Sequence, residues 1–206
     1  DMNDYLLASL AITGAFLLGS LPFAYWLAKA VGGIDIRRAG SGNAGALNVY
    51  RQVGAVAGLM VVLLDAGKGA LAVLLPRWLE APEMVTYLAA LAAVVGHNWS
   101  IFLGLRGGKG AAVVAGTSLT MLPLLTAMVM SFLALALIVT RNAVVSITLA
   151  FILLNVLTIA TSQPPALIAL CLGLSVLVVG THLYRSGAQI VPAIREKRWI
   201  DLTRME

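Results

Sequence analysis

Three short polar stretches hold most of the chemistry this sequence offers. Residues 40–51 read G-S-G-N-A-G-A-L-N-V-Y-R. Gly40, Gly42 and Gly45 let backbone N–H groups converge on an anion, Ser41 and Asn43 can add side-chain donors, and Arg51 offers a planar fork that matches phosphate. A helix starting near Ala44 would aim its positive end at the same point. Residues 65–69, D-A-G-K-G, place Asp65 and Lys68 on one helix face, with Gly67 and Gly69 leaving room for a ligand or another backbone. Residues 96–110, G-H-N-W-S-I-F-L-G-L-R-G-G-K-G, gather His97, Asn98, Arg106, Gly107, Gly108 and Lys109. Cations, amides and glycines in this mixture suit a phosphate-handling site.

Several familiar chemistries are excluded by what stands at neighbouring positions. The glycines at 40, 42 and 45 satisfy G-x-G-x-x-G, but that fingerprint needs a preceding strand and a βαβ unit, and this loop joins two apolar segments. Neither lysine closes a nucleotide-binding P-loop: Leu103 and Gly110 break the pattern around Lys109, and Val62 breaks it before Lys68. Ala39, two residues before Ser41, rules out a G-x-S-x-G elbow, so Ser41 reads as a ligand rather than an activated nucleophile. The H-x-x-x-x-D pattern of many lipid acyltransferases is missing too, with Phe102 following His97 and Gly187 following His182. No histidine, cysteine or carboxylate spacing suggests a metal site, and no cofactor is expected.

These islands are positioned by a chain built for lipid. Of 206 residues, 60% are hydrophobic and only 11% charged, and the mean hydropathy is +0.95, which predicts an all-α, polytopic integral membrane protein. Length and the absence of a linker or fixed-period repeat predict one domain over 1–206. The lone Cys171 excludes an internal disulfide framework. Apolar spans are expected at 5–30, 52–78, 84–103, 110–122, 123–140, 143–161 and 165–185. The first has Asp1 and Asp4 before it and is too long for a signal peptide, so it reads as a retained transmembrane helix.

Charge sets the topology. Breaking 110–140 at Pro123 puts Lys29, Arg37, Arg38, Arg51, Arg106, Lys109, Arg141 and the terminal cluster Arg185, Arg195, Lys197 and Arg198 on one side, the cytoplasm. Seven helices follow, with the N-terminus outside and the C-terminus inside. The segment 110–122 would rise only about 20 Å against a hydrocarbon core of roughly 30 Å, implying a recessed region by the second island. Ser146 and His182, close to the cytoplasmic ends of the sixth and seventh spans, are candidates to line the same cavity. An organic-phosphate transporter and a magnesium-dependent phosphatidyltransferase are the rival readings. The one-sided polar clustering argues against the first, and the single carboxylate within a span, Asp65, argues against the second.

Together the three stretches resemble, in order, spacing and chain length, the bacterial acyl-phosphate:glycerol-3-phosphate acyltransferase family (PlsY). The resemblance implies a seven-helix enzyme of the bacterial inner membrane whose site faces the cytoplasm. It implies acyl transfer from acyl phosphate to glycerol 3-phosphate, yielding lysophosphatidic acid and inorganic phosphate, with no cofactor, nucleic acid or obligate protein partner. Carried over by position, it assigns Ser41, Asn43, Asn48 and Arg51 to substrate binding and catalysis. Asp65, Lys68 and Gly69 fall in the glycerol 3-phosphate region, and His97, Asn98 and Lys109 come from the third motif, with Gly40, Gly42, Gly45, Gly107 and Gly108 shaping the loops. Ser100 stands where the family usually has proline, so a different local turn is expected. Thr181 replaces the arginine usual before the histidine that corresponds to His182. In this chemistry Arg51, Lys68 and Lys109 would neutralise the phosphates while loop N–H groups stabilise developing charge.

Overall fold

The structure, a computed structural model, describes residues 2–195. Lys197 and Arg198 of the terminal basic cluster lie outside the described residues, as does the side chain of Arg195. The helices are α1 (Met2–Ser20), α2 (Phe23–Gly32), α3 (Ala46–Gln52), α4 (Ala55–Trp78), α5 (Glu83–Asn98), α6 (Ala111–Met121), α7 (Pro123–Thr140), α8 (Ala143–Ala160) and α9 (Pro165–Arg195). Short 3₁₀ turns occupy Ile36–Arg38 and Ile101–Leu103. No strand occurs among the described residues.

Among the described residues, six helical segments are long and apolar enough to cross a bilayer: Asp4–Gly32, Ala55–Trp78, Glu83–Leu103, Pro123–Thr140, Ala143–Ala160 and Pro165–Ser186. The chain is therefore a multi-pass membrane protein. The first expected span, 5–30, is a single candidate crossing but not a single helix, because it breaks at Leu21–Pro22. Pro22 has no N–H to donate and pushes Leu21 out of the helical region. The stretch 110–140 divides as expected, with Pro123 at the start of α7, where a missing N–H costs nothing. The helix expected from near Ala44 begins at Ala46 and runs only seven residues.

The helices group into two compact units, residues up to Met121 and residues from Leu122. In the first, α1 packs on α5, and α4 packs on α3, α5 and α6. Helix α4 shows how lipid selects its faces. Ala57, Val61, Asp65, Lys68, Ala72, Val73 and Pro76 are buried along one stripe, whereas Leu59, Leu63, Leu71 and Leu75 are exposed along the other. With lipid as solvent, apolar burial gives little drive for helix association, so close packing by small residues takes over. Gly19 lies against the Ala93 carbonyl and Gly96 against that of Phe16, joining α1 to α5. Gly69 against the Val113 carbonyl and Gly116 against that of Ala66 join α4 to α6 in the same reciprocal way. In the second unit α8 packs against α9 and, around Val129, Ala150 and Leu154, against α7. There the Asn155 side-chain amide donates to Ser175 Oγ at 2.7 Å.

Candidate functional site

The glycine stretch is held from beneath by one amide. Asn48 is 1% exposed, and its Nδ2 faces three carbonyls: Ile36 at 3.2 Å, Ala39 at 3.0 Å and Asn43 at 3.0 Å. Its Oδ1 accepts the Ser41 N–H at 3.3 Å. Three further N–H groups find acceptors within the segment: Gly42 donates to the Ala39 carbonyl, Gly45 to the Asn43 carbonyl, and Asn43 to Ser41 Oγ. Of the three glycines expected to turn N–H groups toward an anion, Gly42 and Gly45 thus have acceptors within the loop. Gly40 sits at φ +56°, where a Cβ would collide with Asn48 Oδ1, so glycine is required for the turn to close over the amide.

The loop's entry is pinned as well. Asp35 caps the Ile36–Arg38 turn, accepting the Arg37 N–H at 3.1 Å and a bidentate guanidinium pair at 3.0 and 2.7 Å. Arg37 also lies over the Tyr25 ring, 4.9 Å from its centroid. The Arg37 hydrogen bonds hold the Asp35 carboxyl down to about 2. Ile36, fully buried, plugs this end into a core with Ala28, Val49 and Val61. Ser41 and Arg51 are on the exposed side of the segment, and Asn43 is half-buried.

The second and third stretches meet inside the bundle. Lys68 Nζ lies 2.9 Å from Asp65 Oδ1, and His97 Nδ1 lies 3.6 Å from the same oxygen. All three residues are buried, and the carboxylate that faces the imidazole is also paired with the Lys68 ammonium. After α5 the chain turns back on itself: the Gly107 N–H donates to the Asn98 carbonyl and the Gly108 N–H to the His97 carbonyl. A Cβ at Gly108 would strike His97 Nε2 and come within 3.0 Å of the Ala44 carbonyl. Gly108 thus packs against both the histidine and the first stretch. Asn98 is fully buried, and Lys109 is half-buried.

A small cleft opens here, lined by Ala44, Asp65, His97, Ser100 and Gly107–Gly108 and walled by Ser20–Ala24 at the α1–α2 break. That wall was absent from the sequence-derived site. Its signal was Pro22 inside an otherwise uninterrupted apolar run. Ser100 also contributes: its hydroxyl donates to the Ser20 carbonyl at 2.6 Å, and the Ser20 hydroxyl donates to the Gly96 carbonyl at 3.2 Å. The turn expected to differ at Ser100 keeps a proline-like backbone, φ −59° and ψ 121°, and gains a donor.

Ser146 and His182 belong to the second unit. Ser146 is buried at the start of α8, bonded to Thr140 Oγ1 and the Asn142 carbonyl, each at 2.8 Å, and His182 is half-buried on α9. Among the described residues no three His, Cys, Asp or Glu side chains are grouped to hold a metal ion.

Residues 9–189 match the glycerol-3-phosphate acyltransferase family. A relative from Moorella thermoacetica, glycerol-3-phosphate acyltransferase 2, is 54% identical over 56% of this chain and 59% of its own length. A glycerol-3-phosphate acyltransferase from a Synechococcus species is 43% identical over 86% of this chain and 88% of its own. Two crystal structures of PlsY, an integral membrane glycerol 3-phosphate acyltransferase, superpose over 92% of both chains at 27% identity. The glycerol 3-phosphate form gives a TM-score of 0.82 and the lysophosphatidic acid form 0.78. The family match spans nearly the whole chain and the long Synechococcus alignment agrees with it; the chain belongs to the glycerol-3-phosphate acyltransferase family.

Proposed function

We propose that this chain transfers a fatty acyl group from acyl phosphate to the 1-hydroxyl of glycerol 3-phosphate, at the cytoplasmic face of a bacterial inner membrane. The observation that carries this reading is the convergence of the three stretches on one cleft, where Ala44, Asp65, His97 and Gly108 come from motifs far apart in sequence. Family membership supports it, as does the likeness to structures described with glycerol 3-phosphate and with lysophosphatidic acid.

The donor is a mixed anhydride whose phosphate is already a good leaving group, so alignment and charge neutralisation supply most of what catalysis needs. The glycerol 1-oxygen attacks the acyl carbonyl, the C–O bond to glycerol forms, and the bond from the acyl carbon to the donor phosphate breaks. Arg51 and Lys109 neutralise the phosphate charge, and Ser41 and Asn43 offer side-chain hydrogen bonds beside them. The departing phosphate takes the hydroxyl proton, and His97 with Asn98 orients the attacking glycerol. Asn48 acts through the loop it folds. The buried Gly107–Gly108 turn sets the position of the imidazole, and Gly69 lets α6 close behind Asp65. Ser146 and His182 stay in the reading as substrate-binding positions on sequence grounds alone. The acyl tail reaches the site from the bilayer, and no cofactor or further protein is required.

The test is phosphate release from palmitoyl phosphate by the purified chain, with and without glycerol 3-phosphate. Release that depends on the acceptor is expected, and Arg51→Ala, Ser41→Ala and His97→Ala should each lower turnover at least a hundredfold. Near-normal turnover in Arg51→Ala would sink the assignment. For the proton, His97→Gln should lower the height of the pH–rate profile without changing its inflections; loss of an inflection near 6.5, the ordinary histidine value, would make His97 the base.

A further inference from the structure

The break at Leu21–Pro22 lies within a candidate membrane span, and such a break leaves carbonyls without their helical partners. In hydrocarbon those oxygens must be satisfied by protein. Two motif residues meet successive oxygens of this break. Ser100 Oγ donates to the Ser20 carbonyl, and Lys68 Nζ donates to the Leu21 carbonyl at 3.0 Å. Lys68 is 2% exposed; its ammonium also holds Asp65 and lies 5.5 Å from the centroid of the Phe23 ring, just past the break. The ammonium thus donates one hydrogen bond to a backbone carbonyl, is ion-paired with a carboxylate and has an aromatic face on a further side.

That arrangement differs from an ammonium held out for a substrate phosphate. We propose that Lys68 is a positioning residue, not a phosphate ligand: it clamps the broken first span onto Asp65 and so fixes the Ser20–Phe23 wall of the cleft opposite His97. The inference rests on the acyltransferase reading for its assay, while its content concerns where this one cation is directed. The wall and the histidine are the two sides between which a small acceptor must be aligned. Loosening the clamp degrades alignment more than anion affinity.

The experiment uses the full chain in detergent or lipid, with kcat, glycerol 3-phosphate KM and inhibition by inorganic phosphate measured separately. Lys68→Met leaves Asp65 as an uncompensated buried charge, so the informative variant is the double substitution Asp65→Asn with Lys68→Met, which removes both charges and keeps the volume. Its kcat is expected to drop at least thirtyfold, with the glycerol 3-phosphate KM and the phosphate inhibition constant within about threefold of wild type. Near-UV circular dichroism should also change, because Trp26 stands edge-on to Phe23 beside the break, ring centroids 5.6 Å apart. Tenfold or greater rises in KM and in the phosphate inhibition constant at preserved kcat would overturn the proposal and make Lys68 a phosphate ligand. Unchanged kinetics would overturn it as well. Failure of the wild-type chain to release phosphate in the presence of acceptor would instead remove the underlying activity, a separate result.

Discussion

Asn48 holds the glycine stretch together from within its turn. One side chain, 1% exposed, faces three carbonyls and accepts one N–H, tying both ends of the glycine stretch to the turn before it. Asn48→Asp would set a carboxylate against those three carbonyl oxygens with no proton to offer. Leaving buried acceptors unsatisfied costs roughly 1–3 kcal/mol each, so a loss of about 3 kcal/mol in stability, with turnover down at least tenfold, is expected. Thermal denaturation in detergent alongside the phosphate-release assay measures both, and a fully active Asn48→Asp chain would show that the loop does not depend on the amide. The Asp35 anchor, unlike the amide, responds to pH. Its carboxyl is held at about 2, so its stabilising contribution is complete above roughly pH 4 and fades only as pH falls toward 2. The motif residues themselves were legible from residue type and spacing. The pairing of the Ser41, Gly42, Asn43 and Gly45 N–H groups within the segment was not, because G-x-G-x-x-G says that a backbone can bend and not which way its donors point.

At the scale of elements, the boundaries that sequence reading recovered were those marked by local chemistry, such as the stop before Pro123. The break at Pro22 was missed because 5–30 is apolar on both sides of it, and hydropathy averages over a single imino acid. What supports such a break is tertiary, two donors from distant helices, and no local pattern encodes that. The reciprocal glycine contacts were equally hidden, since glycines scattered in apolar runs have many uses. Their energetic role can be measured. A Cβ at Gly69 would press on the Val113 carbonyl across the α4–α6 seam, so Gly69→Ala should destabilise the protein by about 1–3 kcal/mol, the usual range for overpacking. Gly67, with nothing within 4 Å of an added Cβ, is the control, and Gly67→Ala should leave the unfolding midpoint unmoved or slightly raised. Equal effects of the two substitutions would remove the seam from the account.

For the whole molecule, orientation in the membrane is the open prediction. Helix α6 has 11 residues and rises only about 16 Å, short of a normal crossing, yet the distribution of lysine and arginine asks the chain to change sides there. In a Cys171→Ala background, single cysteines at Gly33, Leu105 and Arg141 should resist an impermeant maleimide in intact cells, while those at Glu80 and Ser162 should react. Labelling of the Arg141 site from outside would mean that α6 does not cross. The long spans carry large exposed side chains such as Leu63, Ile138 and Val176, the jacket expected of lipid-facing helices. That jacket has a kinetic corollary. A palmitoyl tail gains about 0.8 kcal/mol per methylene on leaving water, so the donor shares the enzyme's film or micelle and meets it by two-dimensional diffusion. The rate should then track the donor's mole fraction among amphiphiles, falling as detergent is added at fixed bulk donor, while the water-borne acceptor obeys its ordinary molarity.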